Sequence, residues 1–243
     1  MKKFLSFLLC LVLTVSFCGS LDAKADETVE KIETGSLVAE DMIKAGLAGY
    51  TVPVIVNGIE QRFELNASDI TKIKMKSQKI SKDGKTLTVK AQLYIDRKVA
   101  TVKTTATAKL KLKNEVWKVK DVSFKGTSIY KIPLKGTWKG TYTASQGETA
   151  VTIKVNKISK DGYITKATFK FGSTPTNKVP EGSFKLTGGY DKTTGQVSFL
   201  GDEWIKKPQE IGRVWYTIDL ICFVDLNKEC LTGDYSVVLT KAK

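Results

Sequence analysis

The feature that most constrains this chain is a two-residue rhythm of apolar side chains, running with interruptions from Tyr50 to the end. Leu87, Val89, Ala91, Leu93 and Ile95 alternate with Thr88, Lys90, Gln92, Tyr94 and Asp96. Val102, Ala106, Ala108, Leu110 and Leu112 alternate with Lys103, Thr105, Lys109 and Lys111. Successive side chains of a strand point to opposite faces, so this pattern predicts antiparallel sheet with one buried and one wet face. Ile70 to Ile80 alternates more loosely, and Trp117 and Val119 open a further strand. A wholly strand-like run follows Gly136. It passes through Val151, Ile153 and Val155, then Tyr163, Ala167, Phe169 and Phe171, then Phe184, Leu186 and Tyr190, then Val197 and Phe199. Tyr216, Ile218, Leu220 and Val224 are predicted as its longest strand, and Leu231, Tyr235, Val237 and Leu239 as its last. Asp161-Gly162, Thr194-Gly195 and the stretch from Asp225 to Glu229 supply the turns. About seven short strands predict an up-and-down barrel or a sandwich. Pairing of the first strand near Trp138 with the last near Val237 would close a barrel and remove both edges.

A helical period precedes the strands, over residues 26 to 48. Val38, Met42, Ile43 and Leu47 fall on one stripe, with Glu40, Asp41 and Lys44 off it. A helix followed by a meander predicts an α+β domain over 26–130, with the helix on one sheet face. Gly126 and Pro133 mark a junction, residues 131–135 a linker, and 136–243 a second, all-β domain. The hexapeptide Lys79-Ile80-Ser81-Lys82-Asp83-Gly84 recurs as Lys157-Ile158-Ser159-Lys160-Asp161-Gly162. Both copies lie between alternating segments and are expected to be hairpin turns in which glycine supplies a positive φ.

The first 25 residues set the expected compartment. Lys2 and Lys3 precede an apolar stretch from Phe4 to Cys18, and Ala23-Lys24-Ala25 offers small residues at a peptidase spacing. This predicts a signal peptide, cleavage before Asp26 and an exported bacterial protein. Cys18-Gly19-Ser20 looks like a lipoprotein acylation site, but Phe17 stands where the machinery prefers a small residue, which favours simple cleavage. No later stretch reaches the roughly 20 apolar residues of a membrane-spanning helix, and Val214 to Val224 is broken by Asp219.

The chain has no histidine. That removes the commonest general base, the usual serine or cysteine triad and the commonest metal ligand. Phosphate-cradling, calcium-binding and Gly-x-Ser-x-Gly motifs are missing, so no metal and no cofactor is expected. Glu148, Asp202 and Glu203 are the acids a glycosidase could use. That chemistry needs two carboxylates about 5 to 9 Å apart, and neighbours on a strand point to opposite faces. A hydrolase is therefore the third choice, and the expectation is not an enzyme. Of four cysteines, Cys222 and Cys230 follow the leader. An oxidising compartment would permit a bridge between them. Pairing Cys222 opposite Leu231 would set Cys230 on the other face, so the question stays open.

Two constellations remain. Lys72, Lys74 and Lys76, Lys90, Lys103, Lys109, Lys111 and Lys113, and Lys118 and Lys120 collect on one predicted sheet face, in a chain of formal charge +14. Such a face attracts polyanions. Outside a bacterial cell these are wall teichoic acid, anionic lipid headgroups and acidic polysaccharide. Export and the lack of interleaved aromatics argue against nucleic acid. Lysine also simply keeps wet strands soluble. The other constellation is Trp138, Tyr142, Phe169, Phe171, Phe184 and Trp204, with Trp215 and Tyr216 nearby. These would fill a small barrel, or line a pocket for a small apolar or sugar ligand. The leading expectation is an exported, non-enzymatic envelope-binding protein with a basic face, and the alternative is a barrel carrier.

Gly136-Thr137-Trp138-Lys139-Gly140-Thr141-Tyr142-Thr143 with Gln146-Gly147, Phe169-Lys170-Phe171, Pro180-x-Gly182-x-Phe184, Gly189-Tyr190-Asp191 and Gly201-Asp202-Glu203-Trp204-Ile205 with Pro208 form a pattern. It is similar to a recurrent β-domain of secreted bacterial proteins, over roughly residues 136–240. That family carries no assigned activity, so the resemblance implies domain limits rather than chemistry. Gly136-x-Trp138 also resembles the opening of lipocalin and avidin-type barrels, which implies a tryptophan plugging one end of a ligand-holding barrel. Residues 26–130 loosely resemble helix-on-sheet domains of the NTF2 type.

Overall fold

The computed structural model describes residues 38–209 and 214–242. The expected signal peptide, Cys18 and the expected helix before Val38 lie outside the described residues. Helix α1 (Glu40–Leu47) is followed by strands β1 (Thr51–Val56), β2 (Ile59–Glu64), β3 (Ile70–Ile80), β4 (Thr86–Arg97), β5 (Ala100–Lys113) and β6 (Val116–Lys131). Eight more follow: β7 (Gly136–Ala144), β8 (Gly147–Ile158), β9 (Ile164–Gly172), β10 (Gly182–Asp191), β11 (Gln196–Lys206), β12 (Leu220–Asp225), β13 (Cys230–Gly233) and β14 (Val237–Lys241). Strands β3 to β6 form one sheet in sequence order, β1 and β2 a two-stranded ribbon, and β7 to β14 a closed barrel.

Two compact units interleave in sequence. The first comprises the described part of residues 1–50 with 64–94 and 104–126; the second comprises 51–63, 95–103 and 127–243. The segment expected as a linker is packed: β6 runs to Lys131, and Ile132 and Leu134 are buried.

In the first unit the predicted helical stripe holds in part: Ile43 and Leu47 are buried and Met42 is half-buried, while Val38, also buried, precedes the helix. A helix of eight residues has little stability of its own, so its apolar stripe must be held by packing. Gly46 makes that possible, since a Cβ there would collide with Val119 Cγ2 of β6. Leu87, Val89, Ala91 and Leu93 of β4 and Ala106, Ala108 and Leu110 of β5 are all buried, as their alternation predicts.

In the second unit the barrel closes antiparallel, β14 on β7, with Lys241 opposite Trp138 and Val238 opposite Thr141. The closing strands are the expected ones, in a different register. A Cβ on Gly140 would collide with the Val238 carbonyl, so the seam needs glycine there. There are eight strands rather than about seven. In an up-and-down meander neighbours alternate in direction, so only an even number closes with every pair antiparallel. The extra strand arises because the run Leu231–Leu239 breaks between β13 and β14. Tyr235 and Ser236 sit at φ 55° and 51°, left-handed values that non-glycine residues rarely hold. The stretch expected as the longest strand is short: β12 begins at Leu220. The Asp219 carboxylate takes the Gly201 N–H at 2.8 Å, a side-chain bond at the end of the ladder.

Both hexapeptide copies form the expected turns. Gly84 and Gly162 have φ of 68° and 89°, and their N–H groups bond the Ser81 and Ser159 carbonyls at 2.9 and 3.2 Å.

Candidate functional sites

The basic face is fixed where a buried residue neighbours a lysine on its strand. On β6, Val119 meets Gly46 of α1, so Lys118 and Lys120 on either side of it face away from the helix. On β4, Lys90 alternates with buried Val89 and Ala91, and on β5 Lys109 and Lys111 alternate with buried Ala108 and Leu110. On β3, Ile73 is buried between Lys72 and Lys74. Lys72 places its Nζ 5.8 Å from the centre of the Tyr94 ring, which sits between buried Leu93 and Ile95 and therefore on the outer side of β4. The stripe on β3 ends beyond Lys76 at Gln78, which is buried and accepts the Val38 N–H at 3.3 Å.

Nine of the ten lysines are exposed. Lys103 is half-buried and belongs to the second unit. None of the ten is in an ion pair among the described residues. The described residues of the first unit hold fourteen lysines against seven carboxylates, so the field of this face is not neutralised locally.

The aromatic set of the barrel divides. Trp138 is fully buried at the end where the chain enters. Its indole N–H donates to the Leu134 carbonyl at 2.8 Å. Lys241 places its Nζ 5.7 Å from the centre of the ring and also donates to the Pro133 carbonyl. Phe169 stacks on Phe184 at 4.5 Å, and with Phe199 these rings fill the interior. Trp138 and Phe169 are thus core rather than pocket residues.

At the other end the interior opens into a cup of about 290 Å³. Tyr142, Phe171 and Phe184 form its floor, and Trp215, Tyr216, Tyr235, Ser145 and Gln146 stand around it. Trp204 does not line the cup but supports it, lying 5.4 Å from Phe184 and 6.2 Å from Phe171. A β-bulge brings it there. Leu186 pairs with Gly201 but Phe184 with Trp204, so one extra residue on β11 turns Trp204 inward. Trp215 stacks on Phe171 at 5.7 Å. Tyr142 is buried, which pushes its phenol up to about 12. Gln146 Nε2 donates to the Tyr142 hydroxyl and to Thr149 Oγ1, each at 3.1 Å. Asn177 Nδ2 ties the Gln146 and Glu148 carbonyls at 2.8 Å each, fixing the rim. Sequence reasoning missed Gln146 and Ser145 as wall residues. Their only signal is a polar pair ahead of Gly147 in a turn, which reads as loop.

Glu148, Asp202 and Glu203 are all exposed. The Lys185 ammonium lies 2.6 Å from Glu203, which lowers that carboxyl below its ordinary range and raises the lysine. Cys222 and Cys230 are free and buried. Cys222 lies opposite Gly233 rather than Leu231, and Cys230 opposite Asp225. Three residues of register separate the thiols, about 10 Å along a strand, more than a disulfide spans. The permitted bridge is therefore not formed.

No helix among the described residues is long and apolar enough to cross a membrane. No family model, curated protein or solved structure matches the chain.

Proposed function

We propose that this is an exported, non-enzymatic protein that binds anionic polymers or anionic lipid surfaces of the cell envelope through its lysine-rich sheet face. The observation that supports this is the combination of shared face and missing partners: nine exposed lysines of the first unit, none ion-paired among the described residues. Solubility alone is served by fewer charges of mixed sign. An unpaired array of one sign raises the local concentration of a polyanion and steers its approach.

Contact through exposed ammonium groups is diffuse and salt-sensitive, because such charges are screened over about 10 Å at 0.1 M ionic strength. Purified protein is expected to co-sediment with isolated cell walls or anionic vesicles at low salt and to be released at high salt. Replacing Lys109, Lys111 and Lys113 together by glutamate is expected to weaken that association about a hundredfold, at about tenfold or less per lysine near an anionic surface. Association that is unchanged by the triple substitution would sink the proposal.

A further inference from the structure

We infer that the cup at the open end of the barrel is a second binding site, independent of the basic face, and that its ligand is an uncharged pyranose ring. The floor and one wall are aromatic: Phe171 and Phe184 below, and Trp215 packed on Phe171. Flat apolar rings of this kind accept the C–H face of a sugar. The rest of the lining is neutral, with polar Ser145 and Gln146 beside aliphatic Ala144, Val214 and Ile218, and no Asp, Glu, Lys or Arg among the described residues lines the cup. A charged ligand would lose its hydration there without a counter-charge.

The polar wall has capacity to spare. The Tyr142 hydroxyl accepts from Gln146 and also lies within hydrogen-bond reach of Thr149, so its proton can turn from Thr149 to a ligand hydroxyl. Gln146 uses its amide nitrogen toward Tyr142 and Thr149, which leaves Oε1 as an acceptor. Ser145 beside them adds a hydroxyl that both donates and accepts. Sugar hydroxyls do both, so one ring can meet all three groups.

The volume limits the size. A space of about 290 Å³ is roughly ten times the share of one water in the liquid, room for about a dozen non-hydrogen atoms. That is one hexose and not two. The mouth is dressed for a ligand that extends outward: Tyr216 is 75% and Tyr235 47% exposed, and Tyr235 is held there in a left-handed backbone conformation. Interior filling by Trp138, Phe169 and Phe199 confines the ligand to this end.

The test is an NMR titration of the full chain, following the Trp215 indole N–H. Methyl glucoside and N-acetylglucosamine are the uncharged pyranoses, glucuronate the charged one and cyclohexanol the apolar ring. The expected result is saturable movement of Trp215 by an uncharged sugar with Kd on the order of 1 mM. Glucuronate and cyclohexanol should bind more weakly. Tyr142→Phe, which keeps the ring and removes the donor, should weaken sugar binding about fivefold. Trp215→Ala, followed through the Trp204 indole, should weaken it about tenfold or more. Tighter binding of a soluble neutral oligosaccharide than of methyl glucoside would identify a glycan chain, and equal binding a free sugar; either upholds the site. No movement with any uncharged sugar overturns the inference. So does cyclohexanol binding as tightly as the sugars with Tyr142→Phe unaffected. The basic-face proposal stands or falls separately, on salt-dependent sedimentation.

Discussion

The four-stranded sheet and the barrel are written in the same alternating script, yet they treat their lysines differently. On the barrel several lysines stand next to a carboxylate: Lys185 with Glu203 at 2.6 Å, Lys206 with Glu181 at 3.6 Å and Lys228 with Asp225 at 3.8 Å. On the sheet none of the nine exposed basic-face lysines of the first unit has such a partner among the described residues. Edges differ as well. Every barrel strand is paired on both sides, whereas β3 and β6 border an open sheet. Lysine on an open sheet discourages edge-to-edge pairing, which explains some of the excess. It does not explain why lysines recur on the central strands β4 and β5, where no edge needs protecting. Lys139, Lys154, Lys166 and Lys170 on the barrel strands are outside these ion pairs too, so what sets the sheet apart is the gathering of its lysines on one face with no carboxylate paired to them among the described residues.

The comparison breaks first if the barrel does not depend on its filled core. Trp138→Ala removes a fully buried ring, its bond to Leu134 and the surface under Lys241. The expected loss is about 3–5 kcal/mol in urea unfolding. A loss below about 1 kcal/mol would mean that the interior tolerates a void and that closure, not packing, holds the barrel. A second test is alkaline. Burial pushes the Cys222 thiol from 9.0 up to about 12, with the nearby Asp234 adding to the shift. A thiol whose folded pKa is raised contributes stability fully present below its unfolded value, near pH 9. That contribution is lost as pH climbs toward 12. The barrel should therefore lose on the order of 3 kcal/mol over that window beyond what Cys222→Ala loses. Urea unfolding of both proteins at pH 8 and pH 11 measures the difference.

Features carried by neighbouring residues are legible in the chain itself. The basic face follows from parity alone, because lysine and apolar residues alternate within single strands. Both hexapeptide turns follow from Asp-Gly, and the strands that close the barrel follow from the alternation around Trp138 and Val237. Features that depend on one residue leaving the rhythm are not legible. Nothing in Asp234-Tyr235-Ser236 announces two left-handed residues, so β13 and β14 read as one strand and the expected count falls short. Nothing in Gly201-Asp202-Glu203-Trp204 announces the bulge that turns Trp204 inward. Just before β12, Asp219 bonds Gly201, eighteen residues away, which local pattern cannot contain. The cup is assembled from residues around 145, 171, 184, 215 and 235, so the sequence names only its aromatics, without their neighbours.

Gly46 offers a smaller effect with a sign that decides something. Replacing a glycine within a helix by alanine ordinarily stabilises by about 1 kcal/mol. Here the added methyl collides with Val119, and overpacking costs about 1–3 kcal/mol. Gly46→Ala should therefore destabilise the first unit. In the background of Val119→Ala the Cγ2 collision is removed and only a contact of 3.3 Å to Cβ remains, so the same change should become close to neutral or stabilising. A double-mutant cycle by thermal unfolding reads that reversal. Additive effects would mean that helix and sheet do not touch there, and the assignment of Lys118 and Lys120 to the outer face would lose its anchor.

The smallest effect concerns the paired lysines of the barrel. Lys185 and Glu203 shift one another's titration, the carboxyl downward and the ammonium upward, yet both side chains are more than half exposed. Exposed pairs contribute little, because water competes for both charges and two long side chains lose freedom. Lys185→Ala should leave the urea midpoint unchanged and, unlike reversal of Lys109, Lys111 and Lys113, should leave salt-dependent sedimentation unchanged too. Loss of envelope association on removing this one paired lysine would show that polyanions use the whole basic surface. The distinction between paired and unpaired lysines would then carry no function.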